Sequence, residues 1–339
     1  MPQITILITT REQFSHIRKN LESIYAHTPQ RFDLIYVNSG APPSVSTYLK
    51  QQAREKGFQL IEFSHQIHQN YARNVGLKYV KTPFVMFLDN DVEVTPGWLE
   101  PLLTCAEETG AWIVGPMVLL GPPEDQIIHF AGGEAGIKEV GGQRIYHAHM
   151  QYCTWPISAV PVPLRRQETI NVEFHGMLVR KSALDQIGGL DEKIYSTSDH
   201  FDIGLEVSQR GGKVIFEPAS VIAYHPPLNM DNDDRQVFRT RWSEAWNQAT
   251  LDHFYSKWGL TPNLKKQEWI RKHRRKWLYP VFNRVERMAG KRGRDLAEKL
   301  ISPLEIIHNR LFYHLPQISH SFVTGVHLGE IDHSNPTVL

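Results

Sequence analysis

Cysteine is almost missing from this chain of 339 residues. Only Cys105 and Cys153 occur, which excludes a disulfide-built scaffold and suits a reducing compartment. Long hydrophobic runs are missing as well. There is no stretch of 18 apolar residues, and no basic leader stands before an apolar segment, because Ile4 to Thr9 already reads as a strand. The sequence therefore predicts no membrane-spanning helix and a cytoplasmic address. No Gly-x-Gly-x-x-Gly follows that first strand, which disfavours a dinucleotide-binding sheet. Net charge is nearly absent too, at +1, but it is segregated: twelve Lys/Arg against Glu268 and Glu286 give the segment from Lys265 to Arg294 a charge of +10 and leave −9 for the rest. What remains is an ordinary globular composition, 41% hydrophobic, in a chain long enough to bury a large core.

Apolar periodicity organises the first third. Ile4 to Thr9 is a strand, and Phe14, Ile17, Leu21, Ile24 and Tyr25 then fall on one helical face. Leu34 to Val37 is a second strand, Ser44 to Lys56 a polar helix, and Phe58 to Phe63 a third strand. A helix from Asn70 leads into the apolar run Phe84 to Leu88, bounded by Pro83 and Asp89. This alternation predicts an α/β fold with a mostly parallel, Rossmann-like sheet flanked by helices. Asp89-Asn90-Asp91 then stand at the carboxyl end of a buried strand, where open α/β sheets bind ligands. Two carboxylates two residues apart in extended chain reach one side and could share a divalent cation with a diphosphate. The alternative is an acidic turn capping the next helix.

Further on, Thr95-Pro96 opens a scaffold helix that Gly110 ends, and Trp112 to Val114 is the next strand. Gly121-Pro122-Pro123 begins a long polar excursion through Gly132-Gly133 and Gly141-Gly142, read as a flexible lid. Its His147 and His149, with Cys153, match no standard zinc framework. Val172 to Lys181 reads as a strand in which Gly176 lets backbone approach a ligand, and Val221 to Tyr224 as one ending in His225-Pro226-Pro227. From Asp231 to Leu260 the chain reads as helical. Leu264 to Leu300 reads as basic helices broken at Pro280 and Gly290, with Trp269, Ile270, Trp277, Leu278, Val281, Phe282 and Val285 as an apolar stripe. Two domains are expected, 1–260 and a basic, mainly helical extension 261–339 that ends in a polar tail. The extension either packs on the first domain with its cations solvated, or offers a basic surface to anionic lipid or a phosphorylated glycan. No nucleic-acid-binding motif accompanies the charge.

The ordered motifs carry a resemblance. Ala72-Arg73-Asn74-Val75-Gly76, then Phe87-Leu88-Asp89-Asn90-Asp91, Ile128 to Gly133, and Gly188-Gly189-Leu190-Asp191-Glu192 closely resemble the inverting glycosyltransferases of family 2, which have the GT-A fold. The likeness runs over residues 3 to 230. It implies transfer of a sugar from a nucleotide diphosphate sugar (UDP-, dTDP- or GDP-linked) to a hydroxyl of a glycan or lipid-linked acceptor, with Mg²⁺ or Mn²⁺ as cofactor, while the basic extension is what would hold the protein at the inner face of the membrane. It further implies that Thr9, Thr10, Arg11 and Asn38-Ser39-Gly40 hold base and ribose, although the family commonly has an acid where Asn38 stands. Arg73, Asn74, Asn90 and Gly176 join them around the donor. Asp91 and His225 would hold the metal, with Asp89 toward the ribose or the metal. The family's E-D-x-D-L falls on Asp199-His200-Phe201-Asp202, in register with Gly211-Gly212, so the base on the acceptor hydroxyl is Asp199 or His200. The family's preference for a carboxylate selects Asp199, with His200 orienting the acceptor or holding Asp199 in place. Two rivals remain. A nucleotidyltransferase would carry a glycine-rich loop where Thr9-Thr10-Arg11-Glu12 has no glycine, and a non-catalytic scaffold would explain Asn38 and His200 in place of acids.

Overall fold

Strands buried on both faces must be apolar nearly throughout, and that is the pattern of the central elements. The computed structural model describes residues 3–227 and 230–315, and the backbone of 323–327. The first half alternates as expected: β1 (Ile4–Thr9), α1 (Ile17–His27), β2 (Phe32–Ser39), α2 (Pro43–Lys56), β3 (Gln59–Phe63), α3 (Gln69–Leu77) and β4 (Phe84–Asp89). There follow β5 (Val92–Val94), α4 (Leu99–Thr109), β6 (Ile113–Leu120), β7 (Ile128–Phe130), β8 (Gly133–Val140), β9 (Gln143–Met150), β10 (Gln167–Glu168) and β11 (Gly176–Arg180). Then come α5 (Lys181–Ile187), α6 (Asp199–Gln209), β12 (Val214–Tyr224), α7 (Asn232–Arg241), α8 (Glu244–Trp258), α9 (Leu264–Arg274), α10 (Tyr279–Phe312) and β13 (Val323–His327).

One mixed sheet runs β10-β12-β6-β11-β4-β1-β2-β3-β13, with β5 beside β12 and β7 beside β6. β1 pairs in parallel with both β2 and β4, so Thr9 lies level with Asp89 at the carboxyl end of the sheet. β11 inserts antiparallel between β4 and β6. One core layer holds Phe14, Leu21, Ile24 and Leu49 under α1 and α2. The other holds Leu7, Tyr71, Ala72 and Val75 under α3. α3 presses so close to β1 that a Cβ at Gly76 would lie 2.7 Å from Leu7 Cδ1. That approach fixes where the helix delivers Arg73.

Two expectations change. The glycine-rich segment read as a flexible lid is a regular hairpin, β8 against β9 from Gly133↔Met150 to Val140↔Gln143. Gly141 and Gly142, at φ 58° and 75°, make its two-residue turn. His147 Nδ1 donates within it to Gly136 O at 2.7 Å. The strand expected from Val172 starts only at Gly176, because the chain turns first, Gly176 N donating to Glu173 O at 3.2 Å. Gly176 itself serves sheet packing rather than ligand approach: a Cβ there would lie 2.5 Å from Ile222 Cδ1.

Side chains pack on both sides of the expected boundary at 260. Leu260 and Ile270 belong to the same buried cluster as Phe238, Trp242 and Phe254, so packing continues across it. Buried Arg274 donates to both oxygens of Glu305 at 2.8 and 3.0 Å. The apolar stripe expected here is split, with Ile270, Leu278 and Phe282 buried and Trp269 and Val281 exposed. α10 takes Pro280 in its first turn and breaks at Gly290 (φ 66°, ψ −175°). No described helix is long and apolar enough to cross a membrane. The expected polar tail beyond 327 lies outside the described residues.

Candidate active site

β4 ends on Asp89, and the turn to β5 places Asn90 and Asp91 fully inside the protein. Asn90 is a clamp: its Oδ1 accepts from Arg11 N at 2.6 Å, and its amide donates to Gln13 O. It fixes the loop after β1 instead of facing a donor. The loop carries Arg11, whose guanidinium lies 3.2 Å from Asp89 Oδ2 and 3.5 Å from Asp91 Oδ2. Burial opposes the Asp89 charge, but Arg11, His175 and Arg73 outweigh it and hold that carboxyl below its usual range. Asp91 fares differently. Burial, reinforced by Asp89 and Glu12 against the pull of Arg11, pushes it up to about 8. Asp91 Oδ1 is buried with no hydrogen-bond partner among the described residues.

His175 completes this group, since ligand atoms of Asp89, Asp91 and His175 all lie within 4.8 Å of one another. Burial and then Arg11 bring the imidazole down to about 4, so it is neutral at pH 7, with Nδ1 3.4 Å from Asp89 Oδ2. Glu173 stands behind it, 2.9 Å from His129 Nε2 and 3.8 Å from His175 Nε2. His225, the expected ligand, is turned the other way. Its backbone N–H donates to Asp91 O at 2.9 Å, but its Nε2 meets Glu93 at 3.0 Å and its ring stacks on His16.

Across the cleft, α6 begins at Asp199 directly after Ser198, a non-glycine residue at φ 73°. A left-handed residue at a helix start costs conformational energy and re-aims the side chains after it. Asp199 and His200 both line the cleft at the first turn of this helix, although helix interiors point neighbours about 100° apart. Asp199 Oδ1 lies 3.3 Å from His200 Nδ1, and Asp199 Oδ2 accepts from Arg73 at 2.8 Å. Burial opposes the charge of Asp199, yet His200 and Arg73 hold it well below the usual carboxylate range. Arg73 also donates to Asp89 Oδ1 at 3.2 Å and lies over the Phe174 ring. It is a buried cross-brace between the two acid groups rather than an open donor contact.

The remaining expected residues sit further out. Thr9 is buried, with its hydroxyl unpartnered among the described residues. Asn38 donates to Ser46 Oγ at 3.1 Å and Glu62 Oε1 at 3.3 Å, while its Oδ1 stays unpartnered there too. Asn74 donates to Leu190 O and Glu192 and accepts from Leu190 N, so it pins the loop before α6. Sequence reasoning missed Glu173 and His175 as site residues, because Val172 to Lys181 read as one strand. It also missed the buried pair of Glu12 with Arg241. A cleft of about 620 Å³ joins these groups, with Arg11, Arg73, Asp89, His175, Asp199 and His200 in its lining.

Residues 5–187 match the family model described as glycosyl transferase family 2. The uncharacterized protein y4gI of Sinorhizobium fredii is 22% identical over 262 residues, 76% of this chain and 28% of its own length. The pre-mycofactocin glycosyltransferase of Mycobacterium tuberculosis is 25% identical over 222 residues, 65% of this chain and 42% of its own. The chain thus spans less than half the length of these relatives. Among solved structures, GalNAc-T7 with UDP, GalNAc and Mn²⁺ has a TM-score of 0.53 at 14% identity, covering 81% of this chain and 54% of that one. The mannosyltransferase PcManGT of Pyrobaculum calidifontis, in complex with GDP-Man and Mn²⁺, gives 0.51 at 13%, covering 92% and 83%. At such identities the likeness concerns the fold, which is that of the GT-A glycosyltransferases. The family match runs from β1 through α5, over more than half of the chain and across Arg73 and Asp89 to Asp91, and on that match the chain belongs to glycosyl transferase family 2.

Proposed function

We propose that the protein transfers a sugar from a nucleotide diphosphate sugar to a hydroxyl of a glycan or lipid-linked acceptor, with inversion at the anomeric carbon. One observation carries the reading: Arg73 joins Asp89 of the Asp89–Asp91–His175 group to Asp199 of the Asp199–His200 pair inside a single cleft. Inversion is one displacement. The acceptor oxygen attacks the anomeric carbon opposite the diphosphate, the bond from that carbon to the phosphate oxygen breaks, and its electron pair leaves with the nucleoside diphosphate. The hydroxyl proton passes to the Asp199–His200 pair. Arg11, between both acids, is the cation that meets the diphosphate.

The donor set fits a hard divalent cation, because it offers carboxylate oxygens, a neutral imidazole and an unpartnered buried oxygen on Asp91. Mg²⁺ or Mn²⁺ bound by Asp91, Asp89 and His175 would offset the charge developing on the leaving diphosphate. The Mn²⁺ and the nucleotide ligands in the two solved relatives support this donor class. His225 stays behind Asp91, steadying it through the backbone. The second half of α10 suggests where a lipid-linked acceptor is met: Leu296, Leu300, Leu304, Ile307 and Leu311 are each more than half exposed, along a helix rich in arginine and lysine.

The test is thermal unfolding with UDP- and GDP-sugars, with and without Mn²⁺, since a ligand at 100 times its Kd stabilises by about 2.7 kcal/mol. Asp91 is fully buried, not at the surface as a strand end suggests. Asp91→Asn keeps its shape while removing an acid crowded by Asp89 and Glu12, so the variant should unfold no earlier than the parent and lose the Mn²⁺-dependent shift. A donor shift that persists in chelator overturns the metal role. With acceptor present, transfer releases nucleoside diphosphate, nucleotidyl transfer would release pyrophosphate, and a scaffold would release neither.

A further inference from the structure

One wall of the cleft is built by the basic extension. Lys266, Trp269, Lys272, His273, Lys276 and Tyr279 all line it, together with the hairpin residues Ala148 and Met150. The wall is tied to the Asp199 side: Lys266 Nζ donates to Ser198 Oγ at 2.6 Å and stands over the Phe201 ring at 4.8 Å. Trp269 packs edge-on to Trp242 yet stays 53% exposed.

The charges on this wall are unevenly answered. Lys272 pairs with Glu268 at 2.8 Å. Lys266 and Lys276 have no carboxylate within ion-pair distance among the described residues, and the nearest acids are already engaged. Asp199 is held by Arg73 and His200, and Glu12 by Arg241, Trp242 and Arg11. Half-buried cations without a counter-ion are costly unless a ligand completes them. Burial brings Lys266 down to about 8 against the pull of Asp199, and lowers Lys276 as well. An exposed indole face beside them suits a sugar ring, whose C–H surface packs on aromatic side chains.

We propose that this wall is the acceptor subsite and that it takes a saccharide bearing an anionic group, one ring against Trp269 and the anion directed at Lys266 and Lys276. The proposal rests on the glycosyltransferase reading, because it assigns the acceptor side of that site. Its position beside Ser198 places the anion on the accepting sugar or its immediate neighbour. Two chemistries share this property, a phosphate ester and a uronic acid carboxylate, and the probes separate them.

The experiment is calorimetric titration of the full chain with glucose 6-phosphate, glucuronate and glucose, carried out with Mn²⁺ and the nucleoside diphosphate that gives the larger thermal shift, so that Arg11 is occupied. The charged sugars are expected to bind at least tenfold tighter than glucose. Lys266→Gln/Lys276→Gln should abolish that preference while the nucleotide affinity stays within about threefold, and Lys266→Arg/Lys276→Arg should retain it. Preference for glucose 6-phosphate alone identifies a phosphate-bearing acceptor, and for glucuronate alone a uronic acid. Equal binding of all three sugars, or a preference that survives the double glutamine variant, overturns the proposal. Failure of nucleotide binding instead counts against the glycosyltransferase reading, and the sugar titration without nucleotide still reports on the wall.

Discussion

Asp199 Oδ1 lies 3.3 Å from His200 Nδ1, so variants must be chosen to tell their proposed roles apart. Asp199→Asn removes a base if the carboxylate takes the proton, and removes the partner of Nδ1 if the imidazole does. Either way kcat should fall by about 10² to 10⁴ with donor affinity nearly unchanged. His200→Ala discriminates. With Asp199 as base, its loss should be about tenfold, reflecting lost positioning; a loss as deep as that of Asp199→Asn in single-turnover assays would make the imidazole the base. A second residue governs pH behaviour. His68 caps α3, its Nδ1 accepting from Tyr71 N at 3.4 Å, with its ring among Tyr71, Tyr195 and Trp246. Burial, then Arg73, lower it to about 3. Between that value and the ordinary 6.5 the unfolded chain binds a proton that the folded chain refuses, so stability is present above pH 6.5 and is lost as pH falls. The slope approaches about 1.4 kcal/mol per pH unit. His68→Asn keeps a capping acceptor without the titration, and urea midpoints from pH 7 to 4.5 should fall less steeply in it. Identical slopes would place the acid sensitivity elsewhere, with half-buried His273 as the next group.

Elements differ in how openly the sequence announces them. β1 and β4 are read at once because both faces are covered and every position must be apolar. α3 followed by Asp89 is equally plain, since the helix period changes to a continuous apolar run. β8 and β9 hide, because both faces of the hairpin are largely exposed and carry no alternation. Their only signal was Gly141-Gly142, two adjacent glycines that suit a tight turn as well as a loose loop. The stretch from Val172 to His175 misleads in the opposite sense: its residues suit a strand, yet a turn before Gly176 is what aims Glu173 and His175 into the cleft. Asp199 and His200 could be named only through the register of the family resemblance, and nothing in that register announces the left-handed Ser198 that precedes them. α10 carries a stripe that sequence alone could not assign to core or surface. Leu296, Leu300, Leu304, Ile307 and Leu311 recur at intervals of three and four on one side, and their exposure fits an anionic membrane interface. Replacing Leu300, Leu304 and Leu311 by Ser should reduce sedimentation with phosphatidylglycerol vesicles while the Mn²⁺-dependent donor shift is kept. Vesicle binding equal to that of the parent would remove the membrane reading.

For the molecule as a whole, the question is whether the extension is an appendage or part of one fold with the residues before it. The composition shift near Lys265 suggests an appendage, yet contacts cross it everywhere. Ile270 sits in the cluster with Phe238 and Trp242, and Trp269 and His273 lie against the Trp242 ring. Glu244, at the start of α8, receives Arg310 at 2.7 Å, and its backbone N–H donates to Asn309. Trp246 Nε1 donates to His314 O at 3.1 Å. The backbone of β13 even extends the sheet at its β3 edge. A chain ending at Leu260 would therefore expose large aromatic surface and leave Glu12 beside a cleft with one wall removed. Such a chain is expected to be insoluble, or to unfold at least about 10 °C earlier, the equivalent of several kcal/mol for a domain of this size. In the full-length protein, Glu305→Gln leaves buried Arg274 with only the longer contact to Glu244 at 3.7 Å and should cost about 1.5–3 kcal/mol in denaturant unfolding. A truncated protein that stays soluble with the parent melting temperature, together with a silent Glu305→Gln, would restore the division at 260. Joint destabilisation means that the charge carried by α9 cannot be removed as a tail and must be changed residue by residue.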